Sequence, residues 1–224
     1  MISIAIDGPS GAGKSTIARM VAKDLDFLYV DTGALYRTIG LYAVRKGADP
    51  ADEKEVSALL PELDIRLAYE KGVQRVYLLG ENVSEAIRTP EMSGAASAVS
   101  AHPAVRAYLL ETQRRLAREN NVLMDGRDIG TVVLPDAQVK IFLTASAEKR
   151  AERRYKEQIA KGDLSQTYEE VLADCIQRDY NDSHRAIAPL RQAEDAVLAD
   201  TSELDLEQSV QLVKEIIRDK CAAL

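Results

Sequence analysis

Residues 2–25 read ISIAIDGPSGAGKSTIARMVAKDL, and this stretch decides the fold. Ile2, Ile4 and Ile6, with Ala5 between, form a short β-prone run that stops at Asp7-Gly8, the pattern of a buried strand feeding a glycine-rich turn. Past the turn, Ile17, Met20, Val21 and Leu25 recur at helical spacing. Between strand and helix, Gly8-Pro9-Ser10-Gly11-Ala12-Gly13-Lys14-Ser15 matches Gly-x-x-x-x-Gly-Lys-Ser/Thr at every fixed position. Glycines there let successive backbone N–H groups turn inward around a β-phosphate without Cβ clashes, and the helix N-terminus adds positive partial charge. Residues Gly8 through Thr16 are therefore read as an ATP-binding loop, with Lys14 bridging the β- and γ-phosphates and Ser15 ligating Mg2+ directly. A dinucleotide-binding fingerprint fails here, because Thr16 occupies the place of its third glycine and Lys14 would have no role.

Outward from the loop, strand and helix patterns alternate. Phe27 to Val30 is strand-like and ends at Asp31-Thr32-Gly33; helical patterns follow from Ala34 to about Lys46 and from Asp52 to Leu60. Ile65–Tyr69 and Val73–Leu79 read as strands joined by a turn at Lys71-Gly72, so about 63–88 is a small β-rich insertion. Every residue from Gly94 to Ala101 is small, which permits close backbone approach, and Pro103 suits the first turn of a helix reaching about Asn120. Val122–Met124, Val139–Leu143 and Ala196–Ala199 are further strands. Ala147–Lys161, Tyr168 to about Asp179, and Leu206 to the end are helical. The alternation predicts an α/β fold with a parallel sheet covered on both faces.

Composition narrows the function classes. With 224 residues, 29 Lys+Arg against 36 Asp+Glu and a net charge of −7, the chain is an ordinary globular length and acidic, which argues against a nucleic-acid polymer as partner. Apolar runs fall short of the roughly 18 residues a membrane span needs. Cys175 and Cys221 cannot build a disulfide framework, and the N-terminus shows no leader pattern, so a cytoplasmic protein is expected. The basic residues comprise 18 Arg and 11 Lys, an excess of the planar fork suited to phosphate oxygens. No Asn-Lys-x-Asp, Asp-x-x-Gly or Leu-Ser-Gly-Gly string occurs, which removes guanine-specific GTPases and transport ATPases. A small P-loop protein of kinase size remains.

Two further strand ends carry arginines, in Asp31-Thr32-Gly33-Ala34-Leu35-Tyr36-Arg37 and in Asp125-Gly126-Arg127-Asp128. Loops at the carboxyl ends of such strands share one crevice. Arg37 and Arg127 could therefore face an anion, or each could be an ordinary surface ion-pair partner.

The sequence resembles the bacterial-type cytidylate kinases from end to end. The matching strings are IDGPSGAGKST, DTGALYR, IRTPEM, the Ser97 and Arg106 region, DGRDIGTVVLPDA and RDYNDSHRAIAPL. The resemblance implies Mg2+-dependent transfer from ATP to CMP or dCMP. It also implies the P-loop nucleoside-monophosphate kinase fold: a five-stranded parallel sheet flanked by helices, with a β-rich insertion and a helical lid. Residues 1–224 would form one kinase domain, with a monophosphate-binding region at 34–105 and a lid at 148–180. CMP would meet Asp31, Thr32, Tyr36, Arg37, Ser97, Arg106, Arg127, Asp128, Arg178, Asp182 and Arg185, Thr32 standing where many relatives carry Ser. Within that set Arg37, Arg127 and Arg185 hold the acceptor phosphate or neighbouring sugar oxygens, Ser97, Arg106 and Asp128 read the cytosine edge, and Arg178 and Asp182 meet the pentose. A carboxylate accepts from cytosine's exocyclic amine, whereas uracil presents a second acceptor there.

Arg178, Asp182 and Arg185 fall at i, i+4 and i+7, one helical face; an intrahelical ion pair is the plainer reading of the same spacing. Arg150, Arg153 and Arg154 likewise share a face, in a segment from Glu148 to Asp163 with six basic and four acidic residues. That face either closes over transferring phosphates or is a solvated helix laced with ion pairs; Arg154, with Arg150 second, is the expected contact. Lys14, Arg127, Arg154 and Arg185 form the expected catalytic set. Asp125 would serve the metal through water, or cap the following turn. A phosphate monoester is mostly dianionic at pH 7, so no general base is required, and His184 and His102 are read as bystanders. Without an exposed apolar helix face in the pattern, a monomer is expected.

Overall fold

A computed structural model of the chain describes residues 1–70, 73–160 and 162–222. In chain order the elements are β1 (Ser3–Asp7), α1 (Lys14–Asp24), β2 (Leu28–Asp31), α2 (Thr32–Arg45), α3 (Glu53–Leu59), β3 (Ile65–Glu70), β4 (Val73–Leu78), β5 (Glu81–Asn82), α4 (Pro90–Val99), α5 (Pro103–Glu119), β6 (Val122–Gly126), β7 (Val139–Thr144), α6 (Ala147–Ala160), α7 (Tyr168–His184), β8 (Val197–Asp200) and α8 (Leu206–Ala222). The main sheet has five strands in the order β2-β6-β1-β7-β8, and a separate three-stranded sheet runs β3-β4-β5. The five-stranded expectation and the β-rich insertion are both met.

The chain divides into two compact units. One comprises 2–28 and 122–224. Here β1 lies between β6 and β7, parallel to both, in registers that set Ile6 beside Asp125 and Asp7 beside Gly126; β7 pairs in parallel with β8. Ile4, Ala5, Ile6, Leu123, Met124, Ile141 and Leu143 are almost wholly inaccessible, as continuous apolar runs in a two-sided parallel sheet should be. Gly8 follows β1 at φ +149°, and a Cβ there would lie 1.9 Å from the Leu143 carbonyl oxygen, so only glycine lets the chain turn out of the sheet.

The other unit comprises 29–121 with Met1. β3 and β4 pair antiparallel from Ile65–Leu78 to Glu70–Val73, and β5 adds Leu78–Glu81. Val76 and Leu78 from this sheet, and Val83 just after β5, pack with Leu41, Tyr42, Ile87, Met92 and Ala95 in one core cluster. The turn expected at Lys71-Gly72 and the helix end expected at Lys161 lie outside the described residues.

The structure changes several element boundaries. The small-residue run belongs to a helix, α4, started by Thr89, whose side chain accepts from the Met92 N–H at 3.2 Å, and by Pro90. Its smallness serves the approach foreseen: a Cβ on Gly40 of α2 would sit 2.8 Å from the Ala95 Cβ. α7 starts at a complete capping box between Thr167 and Glu170 and runs to His184 rather than Asp179, its hydrogen bonding continuing to the Arg185 N–H on the Asn181 carbonyl at 3.1 Å. β5 and a wide, π-helical turn at Ile129–Val133 were not expected.

Candidate active site

The phosphate loop of the first unit is assembled around buried charge. Lys14 opens α1 and is only 5% exposed, with Nζ donating to the Pro9 carbonyl at 2.6 Å. Burial pushes its pKa well below the usual lysine value, and the Arg127 charge pushes the same way; Asp125, Asp182 and Asp7 pull against them. Ser15 donates its hydroxyl to Asp125 Oδ2 at 2.8 Å. Those two oxygens are the donors a hard divalent cation takes. Among the described residues no group of three or more His, Cys, Asp or Glu is placed to hold a metal by itself. The donor set fits a cation that keeps waters and draws its other ligands from nucleotide phosphates.

Past β6, Arg127 donates Nε to Asp182 Oδ2 at 2.8 Å and Nη1 to the Gly126 carbonyl at 3.3 Å. Burial raises the Asp182 carboxyl, but the charge and hydrogen bond of Arg127, with the charges of Arg178 and Arg185, outweigh it and hold the pKa below the ordinary value. Asp128 is 4% exposed and pairs with Arg185 Nη2 at 3.3 Å. Arg178 and Asp182 lie on α7, whereas Arg185 follows its last turn in an extended conformation, with Nε on the Ala188 carbonyl at 2.6 Å. The single helical face expected for all three is thus corrected: a helix end and the turn after it bring them together. Asp182 takes its ion pair from Arg127, on the turn after β6, with the charge of Arg178 acting on it as well.

The three α6 arginines, expected on a lid face, all meet protein. Arg150 is 3% exposed; its Nε donates to Ala145 O at 2.8 Å and Nη1 to Ser10 O at 3.0 Å, and its fork grips the Asp179 carboxylate. Arg153 donates to Thr201 O at 2.6 Å. Arg154 Nη1 lies 3.7 Å from Cys175 Sγ, and the stems of Arg150 and Arg154 close on Gly11. The solvated alternative describes the far side of the helix, where Glu152 and Lys156 pair in water. Arg150 is therefore an internal tie between loop, α6 and α7.

In the other unit, Asp31 caps α2 by accepting from the Ala34 N–H at 2.9 Å and holds Arg37 Nη2 at 2.8 Å. Thr32 is buried; Arg106, also buried, sets its guanidinium 5.8 Å from the Tyr36 ring and donates to Ser100 O at 3.3 Å. Ser97 is half-buried on α4, and its carbonyl accepts from the Ser100 hydroxyl at 2.8 Å.

Comparison with known proteins adds the family. The cytidylate kinase family model matches residues 4–219, nearly the whole chain. The chain belongs to the cytidylate kinase family. Among its relatives, the cytidylate kinase of Carboxydothermus hydrogenoformans is 50% identical over 217 residues, covering 97% of both chains. That of Bacillus subtilis is 45% identical over 219 residues, covering 98% of this chain and 97% of its own. A crystal structure of an uncharacterized protein from Eubacterium ventriosum shares the fold at a TM-score of 0.55 and 10% identity, covering 97% and 99% of the two chains. Among the described residues no helix is long and apolar enough to cross a membrane.

Two features of this cytidylate kinase family member were missed in the sequence. Asp7, read only as the end of a strand, is 5% exposed and accepts from the N–H groups of both Ile129 and Gly130 at 2.7 Å, fastening the turn that follows Arg127 and Asp128. Burial raises its pKa to about 6. Asp179, the anchor of Arg150, was read only as a helix end. An acid closing an apolar run was the available signal for Asp7; nothing local marks Asp179.

Proposed function

We propose that this protein transfers the γ-phosphoryl group of ATP to the phosphate of CMP or dCMP, giving ADP and CDP or dCDP. An acceptor phosphate oxygen forms the new bond to the γ-phosphorus, and the bond from that phosphorus to the oxygen bridging it to the β-phosphate breaks. The acceptor is already dianionic near pH 7, so the chemistry asks for alignment and charge compensation rather than a base. Lys14 leaves its resting partner, the Pro9 carbonyl, for the phosphates, whose charge offsets the burial that disfavours its ammonium form. Gly8 to Gly13, Ser15 and Thr16 hold ATP, while Arg127, Arg154 and Arg185 spread positive charge over the transferring group. Mg2+, held by Ser15 and through water by Asp125, supplies Lewis-acid neutralisation of the phosphates when bound.

For the acceptor, Arg37, Arg127 and Arg185 take the phosphate, with Asp31, Thr32 and Tyr36 supporting them. Ser97, Arg106 and Asp128 take the cytosine edge, and Arg178 and Asp182 the pentose. The observation that carries this reading is the pair of arginine–carboxylate contacts, Arg127–Asp182 and Arg185–Asp128, in the same unit as a complete phosphate loop. Buried partners of this kind exchange one charged ligand for another without exposing an uncompensated charge. The acidic net charge and the lack of a disulfide framework support a cytoplasmic enzyme acting on free nucleotides, and the apolar pattern supports a monomer. Incubation with ATP, Mg2+ and CMP tests it: ADP and CDP should appear in equal amounts, and ADP without CDP would refute transfer to CMP.

A further inference from the structure

In the unit spanning 29–121, the side chain of Gln74 joins the β-rich insertion to an acceptor-side residue. Gln74 of β4 turns its amide onto the backbone of Asp31: Oε1 accepts from the Asp31 N–H at 3.0 Å, and Nε2 donates to the Asp31 carbonyl at 3.4 Å. Residue 31 is where β2 ends and α2 begins. Its carboxylate is divided between two tasks, Oδ1 capping α2 at Ala34 and Oδ2 holding Arg37 Nη2. Each oxygen is thereby aimed, and the aim depends on the Asp31 backbone staying where Gln74 clamps it. Arg37 keeps one buried donor, Nε, without a hydrogen-bond partner. A buried guanidinium N–H left over after pairing is costly, and a phosphate oxygen is an acceptor that would satisfy it.

We propose that Gln74 is a positioning residue for the acceptor phosphate, acting through Asp31 to fix the fork of Arg37. The inference rests on the reading of Arg37 as a phosphate contact given above. It assigns the β-rich insertion a task, because Gln74, the second residue of β4, lies opposite Tyr69 in a hairpin whose register fixes where its amide points. A carboxylate alone would hold Arg37 in more than one geometry; a carboxylate with a clamped backbone holds it in one.

Calorimetric binding of CMP, without ATP so that turnover is not needed, tests the inference in the full chain. Gln74→Leu should weaken CMP about tenfold while leaving ATP affinity unchanged. Should that variant fold poorly, Gln74→Glu keeps the size and the acceptor but loses the donor, and should weaken CMP by a smaller factor. In a double-mutant cycle with Arg37→Met, the Gln74 substitution should add nothing, since its effect passes through that fork. Equal CMP binding by wild type and both Gln74 variants would overturn the inference alone, as would effects that multiply in the cycle. A wild type that binds no CMP would overturn the acceptor reading itself, and the inference with it.

Discussion

Asp7 ties pH to stability in a way that can be worked out in sign and size. Its carboxyl is buried at the end of β1, and burial raises its pKa from 3.8 to about 6; the N–H bonds from Gly130 and Ile129 and the Lys14 charge pull it down, while Asp128 pushes it up. The folded pKa lies above the unfolded one, so between those values the native state keeps a proton that the unfolded chain releases. The stability this contributes is complete below about pH 4 and is lost as pH rises through about 6. About two pKa units convert to roughly 3 kcal/mol. Asp7→Asn removes the titration. It also turns an amide donor toward one of the two backbone N–H groups, a pH-independent cost of about 1–3 kcal/mol. Urea unfolding of both proteins from pH 4 to pH 7 reads this term together with its coupling to Asp128 and Lys14, because acids away from Asp7 titrate alike in the two. Wild type should lead clearly at pH 4, and its lead should shrink by roughly 3 kcal/mol by pH 7. A difference that is flat, or that grows with pH, refutes the reasoning.

Two further outcomes are expected. Arg150→Met removes a buried guanidinium from Asp179 and from the Ser10 carbonyl; since Asp179 is partly exposed, the loss in urea unfolding should be about 2–3 kcal/mol rather than the full cost of an orphaned buried charge. Lys14→Met should lower kcat about 100- to 1000-fold without loss of melting temperature, because burial penalises the ammonium when no phosphate is present; a Tm drop of many degrees would contradict that reading.

What the sequence reveals here is what is local. Gly8 to Ser15 carries its own strand, turn and helix signals, and the central strands β1, β6 and β7 appear as apolar runs because both of their faces are buried. α4 escaped because its residues are too small to mark a face, although Thr89-Pro90 signals its start. The end of α7 escaped because its apolar periodicity stops before its hydrogen bonding does. At the site, the residue types could be read but not their partners. Asp7 meets a turn 122 positions away, Arg150 reaches back 140 to Ser10, and Gln74 is 43 from Asp31. Such pairings are made by sheet order and helix packing, which no short window of sequence contains. The α6 arginines show the consequence: their common face was legible, while Arg150's role as an internal tie was set by Asp179 on another helix.

Acceptor preference tests the central claim most directly. Initial rates of ADP formation from ATP and Mg2+ would be compared for CMP, dCMP, UMP, AMP and no acceptor. Rapid turnover with CMP and dCMP, with UMP and AMP slower by at least an order of magnitude, is the predicted result, since at the proposed base site a uracil carbonyl would set an acceptor against the Asp128 carboxylate where cytosine offers a donor. Equal rates with CMP and UMP, or ADP formation indifferent to any acceptor, would contradict the account.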